Sequence, residues 1–214
     1  MTMYLNHAHP KQIEDMFKAV DEQDLDNIRF YITDGADPDQ KNEKGFTLLQ
    51  HAMIHRKFEA AETLLEMGAD PDIAVEAHGE APLHYAAREG HAHLIGVMLH
   101  KLADVNKADS FGWTPLHTAT ACGKLDAIRE LVEHGADMNL KDCQRDRPID
   151  LATLRMNHMN ESINKPFPPI VAYLKEKMEE KHGSVAPPEE RRALMEQDMA
   201  RLRQHHPDRF KLRP

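Results

Sequence analysis

The chain carries 15 histidines, the residue type that most often supplies a metal ligand or a general base near neutral pH. Two pairs have a spacing that brings imidazoles together. His51 and His55 lie four residues apart on a predicted helix, and His91 and His93 lie in one predicted turn. A zinc site needs three or four donors, and the sequence offers neither pair a further ligand. The histidines therefore do not predict a metal site.

The two cysteines, Cys122 and Cys143, are the candidate nucleophiles. A reactive thiol needs an adjacent base and electropositive surroundings. The neighbours expected by repeat spacing are instead the acidic Glu89 and Asp146, so we expect inert, buried or half-buried thiols. The sequence also has no glycine-rich phosphate loop, no acid pair of defined spacing and no nucleophile elbow. It predicts no catalytic residue and no cofactor.

Composition limits the class of protein. With 214 residues, of which 41% are hydrophobic, the chain is long enough for one domain or one repeat array. Its net charge of −9 argues against nucleic acid or an anionic membrane as the main partner. The sequence has no apolar run of bilayer-spanning length, and MTMYLNHAHPK lacks the pattern of a signal peptide. We expect a soluble, cytoplasmic protein, and export into another cell as an effector stays open.

The unit on which the chain is built is clearest in residues 112–142. Thr114 followed by Pro115 predicts an N-cap and a first helical position. Gly123 ends that short helix, and a second amphipathic helix ends at Gly135. A polar reversal then leads into the next unit. A helix pair of this size cannot bury its apolar face alone, so it must stack against neighbours.

The unit recurs with a fixed spacing. The tripeptide Gly-Ala-Asp begins at Gly35, Gly68 and Gly135, with a degenerate form at Leu102, and the successive steps are 33, 34 and 33 residues. The openings of the first helices keep the same interval, at Thr47, Ala81, Thr114 and Arg147.

A period near 33 residues with T-P-L-H and G-A-D signatures resembles the ankyrin repeat. The resemblance covers about residues 10–181, and residues 81–84 (APLH) and 114–117 (TPLH) are its most specific matches. It implies a mainly α ankyrin-repeat solenoid of about five hairpin and helix-turn-helix units, followed by a C-terminal helical tail. It also implies that His84 and His117 form structural hydrogen bonds between hairpin and first helix.

The predicted organisation has a lead-in, a repeat domain, a linker and a tail. These span residues 1–9, 10–182, 183–188 and 189–214, and the repeats span about 10–41, 42–75, 76–108, 109–141 and 142–182. From residue 189 onward, seven Lys or Arg face five Asp or Glu, which leaves a net charge of −11 on the rest of the chain. The opposite charges suggest that the predicted 189–204 helix docks on the repeats, with a free helix as the alternative.

Several positions depart from the family pattern. Gln50 stands where histidine is usual, and Arg56 and Leu102 stand where glycine is usual. Because a left-handed leucine costs about 1 kcal/mol, we expect some adjustment of the turn at Leu102. The third repeat has one extra residue within 73–78, which we expect to lengthen its hairpin.

The fifth repeat has about nine inserted residues, which we place within 156–169. Because this stretch contains Pro166, Pro168 and Pro169, we predict a protruding loop. Such an insertion is either a functional loop or tolerated drift. The alternative to a binding module is a small-ligand or metal-binding enzyme built on this insertion and nearby histidines.

In the ankyrin family, ligands usually meet the hairpin tips and first helices, on the concave side. The resemblance therefore predicts these partner contacts: Phe46, His55, Glu80, Tyr85, Arg88, Glu89, Phe111, Trp113 and Asp146. Aromatics on such a surface are typical interface anchors, and we favour Trp113 as the central one. The alternative is that these aromatics only pack against the adjacent hairpin. The sequence thus predicts a non-enzymatic protein-binding module with a partner of basic or mixed charge.

Overall fold

The computed structural model describes residues 10–158 and 166–181. Within these residues the chain forms ten helices and no β-strand. The helices are α1 (Pro10–Glu22), α2 (Leu25–Thr33), α3 (Leu48–Ile54), α4 (Phe58–Glu66), α5 (Pro82–Glu89), α6 (Ala92–His100), α7 (Pro115–Ala121), α8 (Leu125–Glu133), α9 (Pro148–His158) and α10 (Phe167–Lys181). The lead-in, the linker and the tail predicted from the sequence lie outside the described residues, as does the tail-docking hypothesis.

The helices form two rows. The first helices of the repeats, α1, α3, α5, α7 and α9, contact one another in that order, and the second helices α2, α4, α6 and α8 do the same. Each first helix from α1 to α7 also contacts the second helix of its own repeat. This is the nearest-neighbour packing of a solenoid, in which each unit buries its apolar faces against the next.

The buried residues of the core recur at the same interval as the sequence repeats. One alanine in each of the last four first helices is completely buried: Ala52, Ala86, Ala119 and Ala152. A side chain this small allows neighbouring first helices to approach closely. Leucines on the second helices, including Leu64 and Leu131, fill the other side of the core.

The first helices begin where the sequence predicts. Side chains that differ from the family pattern at these positions still form hydrogen bonds that close the start of the helix. Thr47 caps α3 by accepting the backbone N–H of Gln50 at 3.2 Å. The Gln50 side chain in turn accepts the N–H of Thr47 at 2.9 Å and donates to the carbonyl of Ile73 at 2.8 Å. Glutamine therefore makes the two hydrogen bonds, to the N-cap N–H and to a downstream carbonyl, that the family's histidine is expected to make. In the fifth repeat, Asp150 accepts the N–H of Arg147 at 3.0 Å.

Tight hairpins precede the first helices. Asn42, Asp109 and Asp142 each donate their backbone N–H to the carbonyl four residues later, at 2.9 to 3.0 Å. In the third repeat the corresponding bond runs from Val75 to Glu80, five residues later, at 2.9 Å. The extra residue predicted within 73–78 is thus accommodated by a wider turn.

Two residues that replace glycine adopt the left-handed backbone that the family pattern requires. Arg56 has φ of 58° and Leu102 has φ of 67°. The Leu102 side chain is 88% exposed, so its strained backbone gains little from burial. Gly123, by contrast, is also required by space, because a Cβ there would lie 2.9 Å from Cγ of Pro166.

The predicted loop 156–169 is wrong at both ends. Helix α9 continues through Met156 to His158, and α10 already begins at Phe167. Pro168 and Pro169 fall in the first turn of α10, where a missing N–H costs nothing. Pro168 and Pro169 therefore begin a helix and do not interrupt one, whereas Pro166 precedes it.

The chain divides into two compact units, and the boundary between Ala172 and Tyr173 falls inside α10. The first unit holds the repeat helices. The described part of the second unit, residues 173–181, continues α10 and contains an ion pair between Lys177 and Glu180 at 2.7 Å.

Candidate functional site

Two grooves open on the first-helix face, which we define as the row α1, α3, α5, α7 and α9 with the hairpins that precede those helices. The N-terminal groove has a volume of about 540 Å³ and is lined by Ile13, Glu14, Phe17, Lys41, Asn42, Glu43, Lys44, Phe46, His51, Ile54 and His55. The aromatic groove has a volume of about 490 Å³ and is lined by His78, Glu80, Arg88, Asp109, Phe111, Trp113, Asp142, Cys143 and Gln144. Six of the nine predicted contact residues line one groove or the other.

The N-terminal groove contains the predicted residues Phe46 and His55. The His55 ring lies 4.3 Å from that of His51, centroid to centroid, so the predicted histidine pair is brought together. His51 is held by Asp21, whose Oδ1 lies 2.8 Å from its Nε2. Within the described ranges, no three His, Cys, Asp or Glu side chains are grouped to hold a metal ion.

The aromatic groove brings Phe111 and Trp113 together. The Phe111 side chain is 62% exposed, while its backbone carbonyl accepts the N–H of Cys143 at 3.0 Å. Trp113 is half-buried, and its indole N–H donates to Oδ2 of Asp142 in the next hairpin at 3.0 Å. Trp113 therefore helps to hold two hairpins together, and Phe111 is the aromatic that remains open to a partner.

Predicted charged contacts on this face have partners within the chain. Glu80 forms an ion pair with Arg88, whose guanidinium carbon lies 5.2 Å from the centroid of the Tyr85 ring. Burial, followed by the neighbouring Glu80, raises the pKa of Tyr85 to about 12. Glu89 pairs with Arg56 of the preceding repeat at 2.6 Å. Glu80 and Glu89 are thus neutralised locally, which sequence reasoning did not anticipate.

Negative charge beside the aromatics comes instead from two hairpin aspartates. Oδ1 of Asp109 accepts the backbone N–H groups of Phe111 and Trp113, both at 2.8 Å. Oδ1 of Asp142 likewise accepts two backbone N–H groups, including that of the predicted contact Asp146 at 2.9 Å. Sequence reasoning missed Asp109 and Asp142, although both occupy the repeat position held by Asn42 in the second repeat.

The two T-P-L-H histidines have the structural role that the resemblance implied. Nδ1 of His84 accepts the N–H of Ala81 at 3.1 Å, so its proton is on Nε2, which donates to the carbonyl of Trp113 at 2.9 Å. His117 makes the same two bonds: its Nδ1 accepts the N–H of Thr114, and its Nε2 donates to the carbonyl of Asp146, both at 3.1 Å. Burial lowers the pKa of His84 and of His117 below the ordinary value.

The expectation that the two thiols are buried or half-buried is wrong. Cys122 and Cys143 are both exposed and free. Cys122 follows the last residue of α7 as its C-cap, and Cys143 lies in the hairpin between Asp142 and Asp146. Neither position is packed against the core, because both belong to turns between helices.

Comparison with known proteins identifies the family. The sequence profile "Ankyrin repeats (3 copies)" matches residues 16–109, 70–142 and 95–163, which together cover more than half of the chain. The chain belongs to the ankyrin-repeat family. Arrays of this kind present extended surfaces that generally bind other proteins. No helix within residues 10–158 and 166–181 combines the length and apolarity needed to cross a lipid bilayer.

Similar proteins differ widely in size. The B-cell lymphoma 3 protein homolog of Mus musculus is 35% identical over 119 residues, which are 56% of this chain and 27% of that protein. A putative ankyrin repeat protein of Rickettsia bellii is 31% identical over 144 residues, which are 64% of this chain and 55% of the relative. The human SH3 and multiple ankyrin repeat domains protein 2 is 32% identical over 121 residues, or 6% of its length. The chain thus spans about half or less of the length of these relatives.

Proposed function

We propose that this chain is a non-enzymatic protein-binding module whose partner contacts the first-helix face, and the aromatic groove above all. The observation that carries the proposal is the 62% exposed ring of Phe111 in a groove next to the half-buried Trp113. A large exposed aromatic in a pre-formed groove is the usual form of an interface anchor, because its burial releases much apolar surface from water.

Four side chains with catalytic potential on this face are occupied in structural bonds, although the thiol of Cys143 is free. His84 and His117 connect hairpins to helices, and Glu80 and Glu89 are paired with arginines. This supports a binding role over an enzymatic one. The competing enzyme hypothesis depends on the 156–169 insertion, of which residues 159–165 lie outside the described part of the chain, and it stays a prediction from the sequence.

The charge of the face favours a basic partner or one of mixed charge. The whole chain carries a net charge of −9. Two of its acidic residues, Asp109 and Asp142, line the aromatic groove together with Phe111. Complementary charge accelerates association and makes its rate depend on salt. We expect the association rate with the partner to fall as the salt concentration rises.

The proposal is tested by two phenylalanines with nearly equal exposure. Phe111 is 62% exposed on the first-helix face, and Phe30 is 60% exposed on α2, in the row of second helices. The partner is first obtained by affinity capture and mass spectrometry and then measured by surface plasmon resonance. Phe111→Ala should weaken its binding about tenfold or more, whereas Phe30→Ala should bind as the wild type does. Equal loss in both variants, or a loss confined to Phe30→Ala, would exclude this face.

A further inference from the structure

We propose that the aromatic groove receives an arginine side chain of the partner protein, an inference that rests on the proposed function. The aliphatic stem of this arginine lies against the Phe111 ring, and its guanidinium reaches the carboxylate of Asp109. Both groups line the same groove. The proposal names the chemistry that selects the partner, which the family assignment alone does not.

The aromatic groove carries an excess of negative charge. Its one arginine, Arg88, is already paired with Glu80. Within the described residues, the hydrogen-bond donors to Asp109 and Asp142 are neutral N–H groups, four of them from hairpin backbone and one from the indole of Trp113. Both backbone donors to Asp109 use Oδ1, which leaves Oδ2 as the acceptor for a charged donor from outside.

The chain itself already places one arginine between an aromatic ring and a carboxylate at the edge of this groove. There the guanidinium of Arg88 lies over the Tyr85 ring at 5.2 Å and pairs with the carboxylate of Glu80. A partner arginine between Phe111 and Asp109 would repeat that combination of ring and carboxylate. Arginine suits it better than lysine, because the planar guanidinium is less strongly hydrated and stacks on aromatic faces.

The charge at position 109 can be removed without opening the hairpin. Asn42 holds the equivalent position in the second repeat, and its Oδ1 accepts the backbone N–H groups of Lys44 and Phe46 at 3.0 and 3.1 Å. An amide oxygen therefore closes this turn as well as a carboxylate does. Asp109→Asn keeps the hairpin and removes only the charge. Glu133→Gln, at an exposed position at the end of α8 in the row of second helices, is the control for the change in net charge.

Trp113 is the only tryptophan of the chain, so its indole N–H gives one isolated NMR signal at the wall of the groove. We would titrate the full chain with N-acetyl-arginine amide at low salt and follow that signal. The neutral N-acetyl-glutamine amide serves as the control ligand. We expect saturable shifts with arginine amide, with a dissociation constant on the order of millimolar, and none with glutamine amide. Asp109→Asn should weaken binding about fivefold, and Glu133→Gln should leave it unchanged.

The inference is overturned if Asp109→Asn binds arginine amide as tightly as the wild type, or if glutamine amide produces the same shifts. These failures are distinct from failure of the proposed function. If partner binding still depends on Phe111 but neither arginine amide nor Asp109→Asn has an effect, the binding face stands and the arginine does not. If partner binding does not depend on Phe111, the proposed function fails, whether or not arginine amide binds.

Discussion

Replacing both buried histidines by glutamine, in the double variant His84→Gln/His117→Gln, should remove much of the sensitivity of this fold to mild acid. Each histidine accepts a backbone N–H on Nδ1 and donates from Nε2, an arrangement that only the neutral ring can make. The chain already contains the replacement, because Gln50 makes the equivalent pair of bonds at 2.9 and 2.8 Å.

The sign of the effect follows from the lowered pKa values. Burial lowers the pKa of His84 and His117 in the folded state, so near pH 6 the unfolded chain binds more protons than the folded one. The free energy of unfolding therefore falls as the pH drops below about 6.5, and it stops falling once the pH passes the folded-state pKa. In that window each histidine contributes a slope of up to about 1.4 kcal/mol per pH unit, and the two together up to about 2.8 kcal/mol per pH unit.

Urea denaturation of both proteins at a series of pH values from 7.5 to 5.0 measures this difference. At pH 7.5 the double variant should be within about 1 kcal/mol of the wild type, since both glutamines can keep the hydrogen bonds. Below pH 6.5 the wild type should lose stability more steeply. Carboxylates titrate in both proteins and cancel in the comparison. Parallel loss of stability in the two proteins would refute the assignment of His84 and His117 as buried neutral bases.

The remaining predictions concern the turns. Gly123→Ala should destabilise the fold more than Gly135→Ala, because both positions have positive φ but only at Gly123 does the new Cβ meet a neighbour, Cγ of Pro166 at 2.9 Å. Urea denaturation should show Gly123→Ala to be the less stable of the two variants. Equal losses of stability would mean that the close contact with Pro166 does not constrain the turn. Leu102→Gly should stabilise the protein by about 1 kcal/mol, because it relieves a left-handed leucine whose side chain is 88% exposed. A thermal midpoint that falls in this variant would contradict that reasoning.

Features set by local rules were predictable from the sequence. The interval of 33 to 34 residues located the helix openings at Thr47, Ala81 and Thr114, because N-caps and helix-ending glycines are decided within a few residues. The expected adjustment of the turn at Leu102, by contrast, is wrong, because the leucine keeps the left-handed backbone with φ of 67°. The extra residue in the third hairpin could be read from the repeat spacing alone.

Features set by contacts between repeats were not predictable. The ion pair of Arg56 with Glu89 joins residues 33 positions apart and depends on how two helices are placed. Packing of Trp113 against the adjacent hairpin was the alternative raised from the sequence, but its hydrogen bond to Asp142 depends on how the next hairpin is placed. The limits of the predicted loop in the fifth repeat were wrong because proline has opposite effects inside a helix and in its first turn, and the sequence did not show where α10 begins.

Hydrogen–deuterium exchange of the chain with and without its captured partner tests the central claim most directly. If the partner contacts the first-helix face, the amides of the hairpin residues 109–113 and of α7 should exchange more slowly in the complex, and those of α6 and α8 should be unchanged. Slower exchange confined to α6 and α8, with residues 109–113 unaffected, would contradict the account.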